Sequence, residues 1–359
     1  MFNKPEWVDV ITAKRRFETV DIVKRLGVIS AERINMKNYP ERRPAKAFNP
    51  AFIYDAEDGI IRLFVRIIPG YYMYVSLIAR LDLELNDLCA GYVSFTHYPA
   101  EIIIGPDTKY DFWGAEDPRV QRVGDRWLIV YSGRTKWYMT LFTDIGRLNR
   151  VLPVIAASEE GIRHWEKIGV LVMRGEISKH LESDKDVAVL QGKYGIYVLH
   201  RPHLTDNRFF TLIGKVSEEI LTKRAFQEYE ITNNYIALGT ASFELKNGWS
   251  TNAISVGKDE YVTLAHSVDR DMGVYRVFGV LLKEEKEYLK VVSATPFFIM
   301  QPLELYEKFG DRPMTVFPCG IEKIDDSILM TYGASDSFVG FGLIDFSELM
   351  SILDKYRID

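Results

Sequence analysis

The chain is predicted to be all-β and to form a five-bladed β-propeller, on three observations. First, an apolar strand, a turn and a second apolar strand recur at residues 49–66, 117–134, 186–201, 252–266 and 317–332. The last residues of these units, Arg66, Arg134, Arg201, His266 and Tyr332, lie 68, 67, 65 and 66 residues apart, and an even period of this kind signals stacked supersecondary units. Second, the expected turns hold Asp58-Gly59, Gly124-Asp125, Gly192 and Gly195, Gly257-Lys258-Asp259, and Asp325-Asp326. Gly and Asp accept the backbone angles of tight hairpin turns. Third, four units open on a polar residue (Asn49, Asp117, Asp186, Asn252) and close on another. The two ends of a hairpin adjoin, so units set around an axis bring these groups to one mouth.

The elements follow in chain order. Trp7, Val8, Ile11, Phe17, Val20, Val23 and Leu26 recur at helical steps, which predicts a helix from Pro5 to about Leu26. It is expected to pack outside the propeller or to reach a second copy in a homo-oligomer. Residues 39–44 (YPERRP) read as a linker, so 1–44 form an N-terminal helical extension and linker. The propeller spans 45–346, with outer strands expected at 72–82 and 272–283. Residues 347–359 read as a C-terminal helix with Ser347 as its N-cap.

Composition narrows the class. The 359 residues suit one large all-β domain. Hydrophobic residues are 47% and charged residues 26%, ordinary for a globular chain. A net charge of −5 without a long basic run argues against nucleic acid. No apolar run reaches the ~18 residues of a membrane span. The first twenty residues lack the apolar core of a signal peptide, and two cysteines fit a reducing compartment. A cytoplasmic location is the expectation.

Three constellations carry chemistry. In Gly114-Ala115-Glu116-Asp117-Pro118-Arg119, two adjacent carboxylates open a strand at the mouth. Asp117 reads as a general acid, with Glu116 raising its pKa and Arg119 opposing that; a structural salt bridge within the turn fits the residues equally. Lys185, Arg201 and His266 stand at equivalent hairpin ends, with Tyr275 soon after, and together suggest an anion site, since arginine forks match phosphate or carboxylate oxygens. Asp336, just past the fifth hairpin, is either an acceptor for sugar hydroxyls or part of an Asx turn. Tyr110, Trp113 and Trp137 flank the first motif and are candidates for stacking on a sugar. No zinc, EF-hand, nucleophile-elbow or dinucleotide motif occurs. His200 and His203 lack metal-ligand spacing, so neither a metal nor a cofactor is expected.

On these residues the chain resembles the β-mannoside phosphorylases of glycoside hydrolase family 130, from about Asn49 to Leu349. Gly114–Arg119 is similar to that family's Gly-x-Glu-Asp-x-Arg signature. Asn49-Pro50, Arg66, Asp184-Lys185-Asp186, Arg201-Pro202 and Tyr332-Gly333-Ala334-x-Asp336 have counterparts in the same order. The resemblance implies a five-bladed propeller. It implies that Asp117 is the single catalytic acid, relaying its proton through a sugar hydroxyl. It implies a phosphate-binding set of Lys185, Arg201, His266 and Tyr275, with Lys246 as a further lysine although its surroundings (ELKNGWSTN) depart from the family pattern. Asn49, Arg66 and Asp336 resemble contacts to the mannosyl ring, and Glu116, Arg134 and Asp186 at the same hairpin ends are assigned to substrate binding with them. Ala265-His266-Ser267 replaces a common Tyr-His-Gly, and the N-terminal helix occurs in only part of the family.

An inverting hydrolase needs an acid and a base whose carboxyl groups stand ~6.5–9.5 Å apart, leaving room for water. Phosphate is already an anionic nucleophile and needs a cationic cradle instead. One acid facing several cations therefore predicts inverting phosphorolysis of a β-mannoside to α-mannose 1-phosphate, with inorganic phosphate as co-substrate. The competing expectations are a hydrolase on the same fold, with Asp186 or Asp336 activating water, and a propeller that binds carbohydrate without cleaving it.

Overall fold

The five repeats fold as antiparallel strand pairs. In the computed structural model, which describes residues 2–71, 74–135 and 150–358, these are Lys46–Asp55 with Ile60–Ile68, Ala115–Val123 with Arg126–Arg134, Leu181–Gly192 with Gly195–Leu204, Ile254–Gly257 with Glu260–Asp269, and Val316–Ile324 with Ser327–Ala334. Their turns use residues that tolerate positive φ: Gly59 at +67°, Gly124 at +62°, Asp259 at +61° and Asp325 at +51°. The described residues are mostly strand, with four short α-helices.

Among the described residues the strands form four sheets. One five-stranded sheet holds the first pair with Leu77–Glu84, Tyr98–Ile104 and Ile34–Met36. A nine-stranded sheet holds the second and third pairs, and its two halves meet through a parallel pairing of Ser183 with Val151. A second five-stranded sheet contains the fourth pair with Glu244–Trp249, Tyr275–Glu284 and Leu289–Ala294. The last has four strands and contains the fifth pair, Phe338–Asp345 and Val23–Ser30. The leading strands pack on one another: Lys46–Asp55 lies between Ala115–Val123 and Val316–Ile324, and Ala115–Val123 also touches Leu181–Gly192.

The N-terminal segment departs from the predicted long helix. Only Trp7–Lys14 is helical. Beyond it, the Arg15 guanidinium pairs with buried Glu244, the Arg16 amide bonds to the Pro296 carbonyl, and Thr19 bridges Phe298. Val23–Ser30 is then drawn out as a strand along Phe338–Asp345, a sheet edge that would otherwise expose unpaired backbone groups. The short helix buries Val8 and Ile11 against Thr232–Leu238 and Leu289–Ala294, so its apolar face is covered within the chain. At the other end, helix Phe346–Lys355 is capped by Asp345, whose carboxylate accepts the Glu348 amide at 2.8 Å, and not by Ser347. Of the outer strands expected at 72–82 and 272–283, the second runs over Tyr275–Glu284; in the first, residues 72–73 lie outside the described residues and the strand described is Leu77–Glu84.

Candidate active site

One local device recurs in three hairpins. Asn49, Asp117 and Asp186 each sit in a bulge, where the leading strand has one residue more than its partner. Their φ values are +49°, +51° and +56°. Asn and Asp are the side-chain-bearing residues that adopt this left-handed conformation most readily, and a bulge re-aims the side chain it carries. The three polar groups turn into one cavity of about 600 Å³, which is also lined by Arg66, Glu116, Lys185, Arg201, Lys246, His266, Tyr275 and Asp336.

On one side of the cavity, Arg66 forks between two carboxylates. Its Nη1 donates to Asp117 Oδ1 and its Nη2 to Glu116 Oε1, both at 2.9 Å, while its Nε donates to Ser76 Oγ. Asn49 Nδ2 donates to the same Asp117 oxygen at 2.7 Å. Asp117 Oδ2 makes no hydrogen bond among the described residues. Glu116 lies fully buried beneath, with Arg134 and Lys185 each 3.4 Å away. Arg119 does not pair with either carboxylate of its motif. It donates through Nη1 to the Asp117 carbonyl at 2.6 Å and through Nε to the Ser250 carbonyl, tying the Asp117 bulge to the strand entry beside His266.

Across the cavity, Arg201 Nε donates to buried Asp186, and His266 Nε2 stands 3.7 Å from the same oxygen. Burial opposes the Asp186 charge, but Arg201 and Arg119 outweigh it and hold the carboxyl well below the usual range. His266 is stacked on Tyr275 and hydrogen-bonded through Nδ1 to Ser250 Oγ at 3.1 Å. Burial, with Arg201 and Lys246 close by, pushes its pKa down to about 3. It is therefore a neutral imidazole at neutral pH, and its expected place among the positive charges is corrected. Lys246 lies over the rings of Phe209 and Tyr275. Burial and the neighbouring Arg201 lower its pKa to about 7. Asp336, in a turn at φ +50°, is raised to about 6 by burial, with Arg66 opposing and Asp117 reinforcing.

Some expected residues fall elsewhere. Arg134 does not line the cavity: it is buried behind Glu116, where it donates to the carbonyls of Trp113 and Tyr74. Its hairpin lacks space at the mouth because the Asp111–Gly114 turn covers the end of that strand. Tyr110 is buried, bonded to Glu228 and stacked on Phe226, and Trp113 packs edge-on against Phe112, so neither lines the cavity. Trp137 lies outside the described residues. The cavity also takes in Tyr74, Ser183, His203, Phe209, Arg312, Thr315 and Phe317, which the hairpin-end argument did not select. Phe317 opens the fifth hairpin and was within its reach; Arg312 belongs to no repeat.

This arrangement can hold an anion beside a carboxyl group. In the sequence comparisons, a model of glycoside hydrolase family 130, described as beta-1,4-mannooligosaccharide phosphorylase, matches residues 13–355, and the chain belongs to this family. Among its relatives, the 1,2-beta-oligomannan phosphorylase of Thermoanaerobacter sp. (strain X514) is 25% identical over 313 residues, covering 85% of this chain and 92% of that protein. The beta-1,2-mannobiose phosphorylase of the same organism is 22% identical, covering 70% and 74%. Among solved structures, beta-1,2-mannobiose phosphorylase from Listeria innocua, in complex with beta-1,2-mannobiose, has the same fold, with a TM-score of 0.69 at 18% identity, covering 93% of this chain and 99% of that one.

Proposed function

We propose that the protein is an inverting β-mannoside phosphorylase that transfers the mannosyl group of a β-manno-oligosaccharide to inorganic phosphate. A phosphate oxygen attacks the anomeric carbon, the glycosidic C–O bond breaks, and the departing oxygen takes a proton supplied by Asp117. The product is α-mannose 1-phosphate, and the step is reversible. Asn49, Arg66 and Asp336 hold the mannosyl ring, while Lys185, Arg201, Lys246, His266 and Tyr275 hold phosphate. Glu116, Asp186 and Arg134 keep these groups in place. The observation that carries the reading is one cavity that holds Asp117 together with Arg201, Lys246 and, beside Glu116, Lys185. Asp186 is unsuited to act as a base, because Arg201 binds its carboxylate.

The reading extends to the whole chain. The four sheets are taken as five blades, the nine-stranded sheet counting as two, with residues 45–346 as the catalytic domain. Free Cys89 and Cys319 support a reducing, cytoplasmic setting.

The test is turnover of β-1,2- and β-1,4-linked mannobiose with and without phosphate. Formation of mannose 1-phosphate only when phosphate is present is the expected result. Equal release of mannose in phosphate-free buffer would turn the reading to a hydrolase, with Asp336 as its base.

A further inference from the structure

Arg312 reaches the cavity from a direction no other cation there uses. Lys185, Arg201, Lys246 and Arg66 all stand on strands. Arg312 stands on the segment between helix Leu305–Lys308 and strand Val316–Ile324. The backbone of this segment is pinned on both sides. The Arg312 amide bonds to the Ser335 carbonyl at 3.0 Å, Asp311 pairs with Lys46 at 3.3 Å, and the Thr315 amide bonds to the Glu307 carbonyl at 3.1 Å. A Cβ on Gly310 would come within 2.2 Å of Ser335 Oγ, so the segment packs directly on the turn that presents Asp336. A rigid support holds an exposed, charged side chain over the cavity.

Among the described residues its guanidinium, unlike those of Arg66 and Arg201, has no acidic partner. Arg66 is bound to Glu116 and Asp117, and Arg201 to Asp186. Among the described residues no carboxylate forms an ion pair with Arg312. Its guanidinium instead lies 4.5 Å from the centre of the Tyr275 ring, where a cation is attracted to the ring face while its N–H groups remain available. Its charge acts on Lys246 and Tyr275 on one side and on Asp336 on the other. It thus stands where the proposed phosphate and mannosyl positions adjoin. A planar fork with several N–H donors suits two phosphate oxygens at once.

We propose that Arg312 is a further phosphate-binding residue, which closes the cradle from the mouth side and grips both free phosphate and the phosphate of the sugar phosphate product. This rests on the phosphorylase reading above. The alternative use of the same side chain, a hydrogen bond to the departing sugar, makes a different kinetic prediction.

The experiment compares Arg312→Gln and Arg312→Lys with the unaltered protein. In phosphorolysis the KM values for phosphate and mannoside are measured; in synthesis, the KM for α-mannose 1-phosphate. For Arg312→Gln, both anion KM values are expected to rise about ten-fold or more, the loss of one charge-assisted contact, while the mannoside KM changes less than about two-fold. Arg312→Lys recovers part of the loss. An equal rise in all three constants, a rise for the mannoside alone, or no change would overturn the assignment. A second arm titrates inorganic phosphate calorimetrically into Asp117→Asn, with and without Arg312→Gln. Weaker binding in the double variant supports the assignment, and equal binding overturns it alone. Phosphate-independent turnover by the unaltered protein, with no phosphate binding to Asp117→Asn, would remove the phosphorylase reading and this inference together.

Discussion

Replacing Asp117 by Asn should abolish most activity and leave the fold almost untouched, for reasons the geometry supplies. The residue sits at φ +51°, which Asn tolerates nearly as well as Asp. Its Oδ1 accepts from Asn49 Nδ2 and Arg66 Nη1, and an amide oxygen in the same place still accepts both. Arg66 keeps its pair with Glu116 at 2.9 Å. The stability change is therefore expected within about 1 kcal/mol. Asp117→Ala behaves differently: it places an unsuited residue at a left-handed position, about 1–3 kcal/mol, and strands buried donors, about another 1–3 kcal/mol. What Asn cannot do is release a proton, and loss of a general acid costs about 10²–10⁴-fold in rate. The assay is mannose 1-phosphate formation from a β-mannobiose, beside an aryl β-mannoside whose leaving group needs no protonation. The deficit of Asp117→Asn should shrink by about ten-fold or more on the aryl substrate. A loss below about ten-fold on mannobiose in a folded variant, or the same deficit on both substrates, would refute the role of Asp117 as proton source.

Two glycines pack closely against residues that line the cavity. A Cβ on Gly333 would lie 1.7 Å from Asn49 Oδ1, and one on Gly248 would lie 2.5 Å from Arg201 Cδ and 2.8 Å from His266 Cε1. Gly333→Ala should raise the mannoside KM and Gly248→Ala the phosphate KM, each at a stability cost of about 1–3 kcal/mol; steady-state kinetics showing the reverse pattern would contradict the assignment of the two walls. A pH profile tests Lys246, whose pKa of about 7 follows from burial and Arg201. Its charge is present below that value and lost above it, so phosphate affinity should fall as the pH rises through 7. Lys246→Arg stays charged and should move this limb to higher pH; superimposable profiles for the two proteins would show that Lys246 does not set it. The same depressed value makes the free protein gain stability between about pH 7 and 10, because the unfolded chain then keeps a proton the native site has lost.

By itself the chain determined its five hairpins and the polar groups at their ends. Both are local properties: apolar runs, Gly and Asp at the turns, and a repeat of 65 to 68 residues that sets Asn49, Asp117 and Asp186 at equivalent places. Those three, with Arg66, Lys185, Arg201, Lys246, His266, Tyr275, Glu116 and Asp336, do meet in one cavity. Only the tertiary structure decided what depends on distant neighbours. Val23–Ser30 is a strand because Phe338–Asp345 offers it an edge some three hundred residues later. Arg134 is drawn back beneath Glu116 by carbonyls of a covering turn, and His266 is neutral because burial and adjacent cations make its charge costly. Arg312 lies outside every repeat, and no period along the chain could have shown it facing Tyr275. Alternation and turn chemistry act over a few residues and are written in sequence; charge state and convergence depend on which surfaces exclude water together, and packing alone settles that.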